Sequence, residues 1–347
     1  MTTTGRWAVL TTELTEKLAA GRTAIKSGDS EKAIALLSEV LVTGRITPEE
    51  EVEVRTQLGE LLENAGRYQE ALKAISKYEA SVNLLDVPRP AMAQVLFRLA
   101  SLYRWLNEPP KAISYANNSL RIFLQQHYDP GIGAANALLG YVYWMIDEYA
   151  ISRDYLLTAL ESQRIVNDVR SLAQTYWNLS LVDSIEGHQE EAKKDCKMGL
   201  SLLETENNQQ LSSQDHLILG KLFSNLAFID TEEGNIHKAV QKYERAIEHW
   251  SHVEDKNFSA LAYNNLADAL LFIGDWSRAE STIQSAMRLL KGGQSKRDEA
   301  AVFNTLGKLH FLQGRFELSE TSLKRSMSLA VESGAKSLEA ASWLAMG

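Results

Sequence analysis

Apolar residues recur at helical spacing in blocks along the chain, and each block contains the same short pattern. A Leu is followed by a small residue, by Gly, Asn or Asp seven positions later, and by Ala or Ser five positions after that. Leu226-Ala227, Gly234 and Ala239 form a clear copy. Gly, Asn and Asp tolerate the left-handed backbone that ends a helix. The pattern therefore predicts two helices joined by a tight turn.

Eight copies of this pattern keep a nearly constant register. The turn residues lie at 28, 66, 107, 147, 187, 234, 274 and 314, in steps of 38, 41, 40, 40, 47, 40 and 40 residues. The step of 47 predicts a longer loop in the polar stretch 204–210. Long β-branched alternations and Asn-Gly hairpins are missing from the sequence, so no strands are expected. The expectation is one all-α domain over residues 1–347, with about eight repeats.

The copies resemble the tetratricopeptide repeat (TPR) family. The resemblance is carried best by Leu58-Gly59, by Leu139-Gly140 with Tyr143, and by Ala239 with Tyr243 and Ala246. The period of about 40 residues exceeds the usual 34, as in the TPR arrays of kinesin light chains, LGN-type adaptors and bacterial regulators of the MalT and quorum-peptide-sensor kinds. The resemblance implies a right-handed superhelical solenoid of antiparallel helix pairs, and it says little about any particular function.

The segment 336–346 has the pattern of one further helix, with Leu344-Ala345 at the Leu-small position. One interpretation is a capping helix with an apolar inner face. The other is the first helix of a ninth repeat, in a polypeptide that continues past Gly347 towards an effector domain. Self-assembly through Trp343 is a third interpretation.

Composition narrows the classes of function. The 36 Lys and Arg residues and 45 Asp and Glu residues give a formal charge of −9, which disfavours direct nucleic-acid binding. The single Cys cannot form an internal disulfide, and no stretch approaches 18 uninterrupted apolar residues. We therefore expect a soluble cytoplasmic protein that does not enter a membrane.

Residues with catalytic or metal-binding chemistry are scattered. Among the seven His residues only His249 and His252 are close in sequence, and we expect them to be solvated or to lie at a helix end. Cys196 has the spacing of a buried packing residue. The basic, Gly-containing stretch 291–297 is expected to be a connector, with an anion contact as the alternative. No catalytic, metal or cofactor motif is present, so enzymatic activity is not expected.

The TPR resemblance also implies a binding surface on the first helices of the pairs. Counting the Leu of the Leu-small pair as position 7, amides occupy positions 5 and 6 of the later repeats. An Asn ladder of this kind holds the backbone of an extended peptide in long-repeat TPR arrays, because a carboxamide both donates and accepts. The alternative is that the amides fix repeat packing. These residues are Asn178, Asn225, Asn264, Asn265 and Asn304.

Positions 9, 12 and 13 of the first helices carry large apolar residues. They would form pockets for a partner if they are exposed, and inter-repeat core if they are buried; the spacing fits both. These residues are Tyr141, Trp144, Met145, Phe228, Phe272, Phe311 and Leu312. Arg98 and Arg104 lie at positions 6 and 12 of the third repeat. They are predicted either to form an anion-binding site or to be solvated side chains.

Two functions remain. The first is a non-catalytic scaffold that binds a peptide or a protein segment in the concave groove, between about Arg98 and Leu312. The second is the sensor or regulatory region of a larger bacterial signalling or transcription-regulatory protein.

Overall fold

The computed structural model describes residues 3–43, 46–80, 87–204, 211–253, 257–290, 295–333 and 335–346. Within these residues the chain forms 17 α-helices and no strand. A 3-10 turn, Ser76–Glu79, follows α4. The helices are α1 Thr3–Ser27, α2 Ser30–Thr43, α3 Pro48–Asn64, α4 Tyr68–Ile75, α5 Arg89–Trp105, α6 Pro109–Gln125, α7 Asp129–Met145, α8 Tyr149–Ile165, α9 Val169–Ile185, α10 Gln189–Leu203, α11 Ser213–Glu232, α12 Ile236–Trp250, α13 Asn257–Phe272, α14 Trp276–Leu289, α15 Lys296–Leu312, α16 Phe316–Ser333 and α17 Lys336–Met346.

The turns between paired helices fall at the eight positions that the pattern predicts. Six of these positions are Gly with φ between 72° and 81°, and the other two are Asn107 (φ 58°) and Asp147 (φ 64°). Each residue therefore adopts the left-handed conformation that closes a helix. His127 and Asn167 adopt it as well, at φ 50° and 54°. They lie at turns that the pattern does not mark, between α6 and α7 and between α8 and α9.

Helix starts are fixed by local capping. The Thr47 hydroxyl accepts from the Glu50 amide at 3.2 Å, and the Glu50 carboxylate accepts from the Thr47 amide at 2.9 Å. Ser212 and Asp215 form the same reciprocal capping box at α11. Such boxes satisfy two amides that a helix start leaves open.

The predicted loop 204–210 lies outside the described residues, apart from Glu204. In the stretch 291–297, Lys296 and Arg297 belong to α15, and 291–294 lie outside the described residues.

The small residue of the pattern lets the two helices of a pair approach closely. A Cβ built on Gly140 would lie 2.6 Å from Leu156 Cγ, and one on Gly307 would lie 2.6 Å from Leu323 Cγ. In both pairs a Ser hydroxyl of the second helix donates to the carbonyl of that Gly: Ser152 at 2.7 Å and Ser319 at 2.8 Å. The same position therefore supplies both close packing and a buried hydrogen bond.

The chain divides into two units, residues 1–171 and 172–347. Unit 1 has a core that includes Leu58, Leu99 and Leu139. The core residues of unit 2 include Leu226 and Leu266. The Leu of the Leu-small pair is thus a core residue, and the apolar stripe of each helix is the face that packs within its unit. The interpretation as a single domain stays a prediction.

Candidate functional site

Unit 2 exposes large apolar side chains on three successive first helices. Phe228 on α11 is 42% exposed, Phe272 on α13 is 70% exposed, and Phe311 and Leu312 on α15 are 56% and 43% exposed. We call these four residues the unit 2 apolar face. The sequence left open whether they are core or surface; they are surface. Exposed aromatic side chains on successive first helices are typical of a protein-binding surface.

A charged pair lies at position 9 of the two neighbouring first helices. Lys308 of α15 donates to the Asp268 carboxylate of α13 at 2.7 Å. The bond shows that position 9 side chains of adjacent first helices meet, and Phe228 has that position on α11. Both charges are partly exposed. The apolar face therefore has polar groups within it that a ligand backbone can bond.

The predicted Asn residues divide by their contacts. Asn225 is buried and donates to the Ser180 hydroxyl of α9 at 2.8 Å, and it also contacts Cys196. Asn304 is buried and donates to the Ser342 hydroxyl of α17 at 3.1 Å. These two side chains link neighbouring first helices, which supports the packing interpretation for them.

The other three Asn residues are arranged differently. Asn178 accepts from Gln174 at 3.3 Å, and Gln174 in turn accepts from Lys221 at 3.3 Å. Asn264 is buried, and its side-chain oxygen has no hydrogen-bond partner. Asn265 is half-buried. Asn178 is buried as well, so Asn265 is the predicted amide that lies nearest to the arrangement expected of a ladder.

Unit 1 holds a charged cluster on the first helices α3 and α5. Glu63 accepts from the Arg98 guanidinium at 2.8 Å and from the Trp105 indole at 3.1 Å, and the Ser101 hydroxyl also donates to it. Arg98 also pairs with Glu60 at 2.9 Å. The side chain of Arg98 is only 14% exposed. The interpretation of Arg98 as a solvated side chain is therefore wrong, because a buried carboxylate holds it.

Arg104 belongs to the same cluster, which we call the unit 1 arginine cluster (Glu60, Glu63, Arg98, Arg104, Trp105 and Tyr141). Its guanidinium carbon lies 4.1 Å from the Trp105 ring centroid and 5.2 Å from that of Tyr141 on α7. Its side chain is 16% exposed, so the solvated interpretation is wrong for Arg104 too. The ring centroids of Tyr141 and Trp144 lie 5.3 Å apart, and both side chains are half-buried. Aromatic faces hold the guanidinium by cation–π attraction.

Unit 2 also contains a histidine cluster that sequence analysis missed. His216 of α11 and His249 of α12 have their Nδ1 atoms 3.0 Å apart, and His252 stacks on His216 at 4.3 Å between ring centroids. His249 is buried and not solvated, whereas His252 is exposed. Burial, with further contributions from His216 and Arg245, lowers the pKa of His249 to about 4; burial also lowers the pKa of His216. His216 is far from His249 and His252 in sequence, so the spacing of the histidines along the chain does not predict this cluster.

Two other groups of reactive side chains give weaker evidence for a functional site. Among the described residues, Asp183, Glu186 and His188 have potential ligand atoms within 4.8 Å of one another, but both carboxylates already have polar partners. Cys196 is buried as expected, and burial raises the pKa of its thiol to about 11, so the thiolate is disfavoured.

Sequence comparison matches the tetratricopeptide repeat at residues 18–84 and again at 219–292. Both stretches contain copies of the repeat pattern. The chain contains tetratricopeptide repeats. No curated protein gives a significant match.

Solved TPR structures share the fold at low sequence identity. A Rap protein complexed with competence and sporulation factor has a TM-score of 0.65 and 16% identity, over 93% of this chain and 99% of that one. NprR in complex with its cognate peptide NprX has a TM-score of 0.58 and 13% identity, over 96% and 98%. A signal-transduction ATPase from Pyrococcus horikoshii with a TPR sensor has a TM-score of 0.64 and 13% identity, over 90% of this chain but 46% of that one. Identities this low establish the fold alone.

No described helix of the TPR protein combines the length and the apolar character needed to cross a bilayer.

Proposed function

We propose that this TPR protein is a non-catalytic scaffold that captures a peptide or an extended protein segment on the unit 2 apolar face. The observation that carries the proposal is the exposure of Phe228, Phe272, Phe311 and Leu312 at first-helix positions of three successive repeats. The Rap and NprR structures, each with a bound peptide, support it by fold.

Affinity comes mainly from apolar contact in this proposal. Covering an exposed Phe side chain contributes about 1.5–3 kcal/mol, and a few aromatic residues usually dominate an interface. Lys308, Asp268 and Asn265 supply donors and acceptors for the ligand backbone. A carboxamide bonds main chain without regard to sequence, so the apolar residues set which side chains are preferred.

Phe272 and Phe311 provide the test. Affinity selection from a random hexapeptide library, followed by measurement of Kd for the selected peptides, is carried out with wild type and with Phe272→Ala/Phe311→Ala. We expect the double variant to lose about 2 kcal/mol or more of binding free energy, about 30-fold in Kd. Bound peptides are recovered with unchanged mass, because the proposal includes no catalytic step.

The control is a double variant at exposed apolar residues of second helices, Met198→Ala on α10 and Val331→Ala on α16, which are 41% and 60% exposed. It removes apolar surface without touching the first-helix face. Equal losses in the two double variants, or no loss in the first, would reject the unit 2 apolar face as the binding site.

We propose as a second candidate that binding regulates a signalling partner or effector domain. The fold similarity to the quorum sensor NprR and to the TPR sensor of the Pyrococcus ATPase supports it. A regulatory scaffold must change conformation or stability when the ligand binds. Hydrogen exchange of the unit 2 helices with and without a selected peptide tests this: protection confined to the contacted residues would contradict regulation by this route.

A further inference from the structure

A second recognition surface is indicated in unit 1, where a half-buried guanidinium makes no hydrogen bond to a described residue. Arg104 makes no hydrogen bond to any described residue, and its Nε is buried without a partner. The nearest carboxylate oxygen, on Glu63, lies 3.9 Å from its NH2. That distance is beyond a hydrogen bond, so the guanidinium is paired only electrostatically, and its Nε–H is a buried donor without an acceptor.

The Glu63 oxygen nearest to Arg104, Oε1, already has two donors, which leaves no lone pair for the Arg104 guanidinium. One oxygen accepts from Arg98, and the other accepts from both Ser101 and Trp105. The Arg98 guanidinium is shared in turn between Glu63 and Glu60. The network therefore leaves Arg104 as the charged group of the cluster that has no hydrogen-bonded partner in it.

The aromatic rings fix the orientation of the unused donors. Trp105 and Tyr141 lie at cation–π distance from the Arg104 guanidinium, and Trp105 stacks on Tyr68 at 4.8 Å with the rings 12° apart. Rings at these distances hold the guanidinium in place by cation–π attraction. A guanidinium held in this way is pre-organised for a planar, bidentate acceptor.

The charge of the cluster selects the ligand. The side chains of Glu63, Arg98 and Arg104 are 9%, 14% and 16% exposed, whereas Glu60 is 51% exposed and screened by water. These three largely covered charges sum to one positive charge, which a single carboxylate neutralises. A phosphate dianion would leave a net negative charge beside Glu63.

We propose that Arg104 is the receptor for one carboxylate of a bound peptide, a function separate from the unit 2 apolar face. The carboxylate comes either from the peptide C-terminus or from an Asp or Glu side chain. Trp144 lies beside Tyr141, and its indole N–H is buried without a partner, so the same locality has a further donor for a ligand.

Two random hexapeptide libraries test the proposal, one with free and one with amidated C-termini. Wild type is expected to enrich carboxylate-bearing peptides about tenfold over carboxylate-free ones, and Arg104→Gln to abolish this preference. Enrichment of free C-termini alone assigns the terminal carboxylate, whereas enrichment of Asp or Glu in both libraries assigns a side chain. Arg278→Gln, at an exposed Arg of α14 paired with Glu244, is the control and should keep the preference.

The proposal is overturned if wild type shows no carboxylate preference or binds no peptide, or if Arg104→Gln keeps the preference. If Arg104→Gln does not fold, judged by circular dichroism, Arg104→Lys decides: it keeps the charge but lacks the planar fork, so a preference equal to wild type overturns the proposal and at least a threefold loss supports it. Loss of all binding in Phe272→Ala/Phe311→Ala would leave this result unaffected, because each variant is scored on a different quantity.

Discussion

The paired imidazoles of unit 2 predict that this unit loses stability in mild acid. His249 is buried between His216 and Phe223, and its Nε2 has no hydrogen-bond partner. We assign the His249 proton to Nδ1, where it is donated to His216 Nδ1 at 3.0 Å, because an orphaned lone pair costs less than an orphaned N–H. A second proton on His249 would go to Nε2, where the buried N–H would have no acceptor.

The magnitude follows from the pKa of His249. Burial and nearby positive charge lower it from 6.5 to about 4 in the folded protein, against a smaller opposing effect of Glu248. The unfolded chain therefore binds more protons, and the free energy of unfolding falls as the pH falls below 6.5, until the loss is complete below about 4. For this group alone the decrease between pH 7 and pH 5 is about 2 kcal/mol. The lowered pKa of His216 acts in the same direction.

Urea unfolding at several pH values between about 5 and 7, followed by circular dichroism, measures the effect. His249→Phe keeps an aromatic ring against Phe223 but cannot be protonated, so its pH-dependent loss should be less than half that of wild type. His237→Gln, at an exposed position, should behave like wild type. If His249→Phe loses as much stability as wild type over this range, the buried imidazole is not the cause and the argument fails.

Two further predictions concern packing. Gly59→Ala and Gly140→Ala change the same repeat position. The new Cβ at 59 would meet Arg98 Cγ at 3.6 Å, an ordinary contact, so helix propensity should raise stability by about 0.5–1 kcal/mol. At 140 the new Cβ would lie 2.6 Å from Leu156 Cγ, and overpacking should lower stability by about 1–2 kcal/mol; urea midpoints that move in the same direction in both variants would contradict this. Asn225→Ala should destabilise unit 2 by about 1–2 kcal/mol because it removes a buried donor to Ser180, which keeps only its own bond to the Trp177 carbonyl, whereas Asn265→Ala should stay within about 0.5 kcal/mol. Hydrogen exchange of α11 measures both, and equal effects would show that Asn225 has no special packing role.

The repeat and its turns were predictable from sequence because the chemistry that marks them is local. A helix that ends in a left-handed residue needs Gly, Asn or Asp, so the turns at Gly234 and Asp147 can be recognised from residue type alone. His127 also adopts a left-handed conformation, but His is not a usual residue there and gave no signal. Backbone geometry therefore follows from sequence where residue type restricts it, and not elsewhere.

The chemistry of the surfaces was less predictable because it depends on residues that are far apart in sequence. The burial of Arg104 follows from Trp105 beside it, from Tyr141 on α7 and from the carboxylate of Glu63 on α3. The histidine cluster joins His216 to His249 across two helices. Helical spacing indicates which face a residue occupies, but not which charges or rings the neighbouring helix brings to it.

The positions of the amides bear on how binding energy is divided in unit 2. Asn225 and Asn304, at ladder positions, donate to Ser180 and Ser342, and a peptide backbone would have to replace bonds that already exist. Such an exchange gives little net free energy, since the amides are satisfied before the ligand arrives. The exposed rings of Phe272 and Phe311 lose no existing hydrogen bonds when they are covered. The apolar side chains should therefore supply most of the affinity, and amides such as Asn265 should mainly fix the direction of the bound chain.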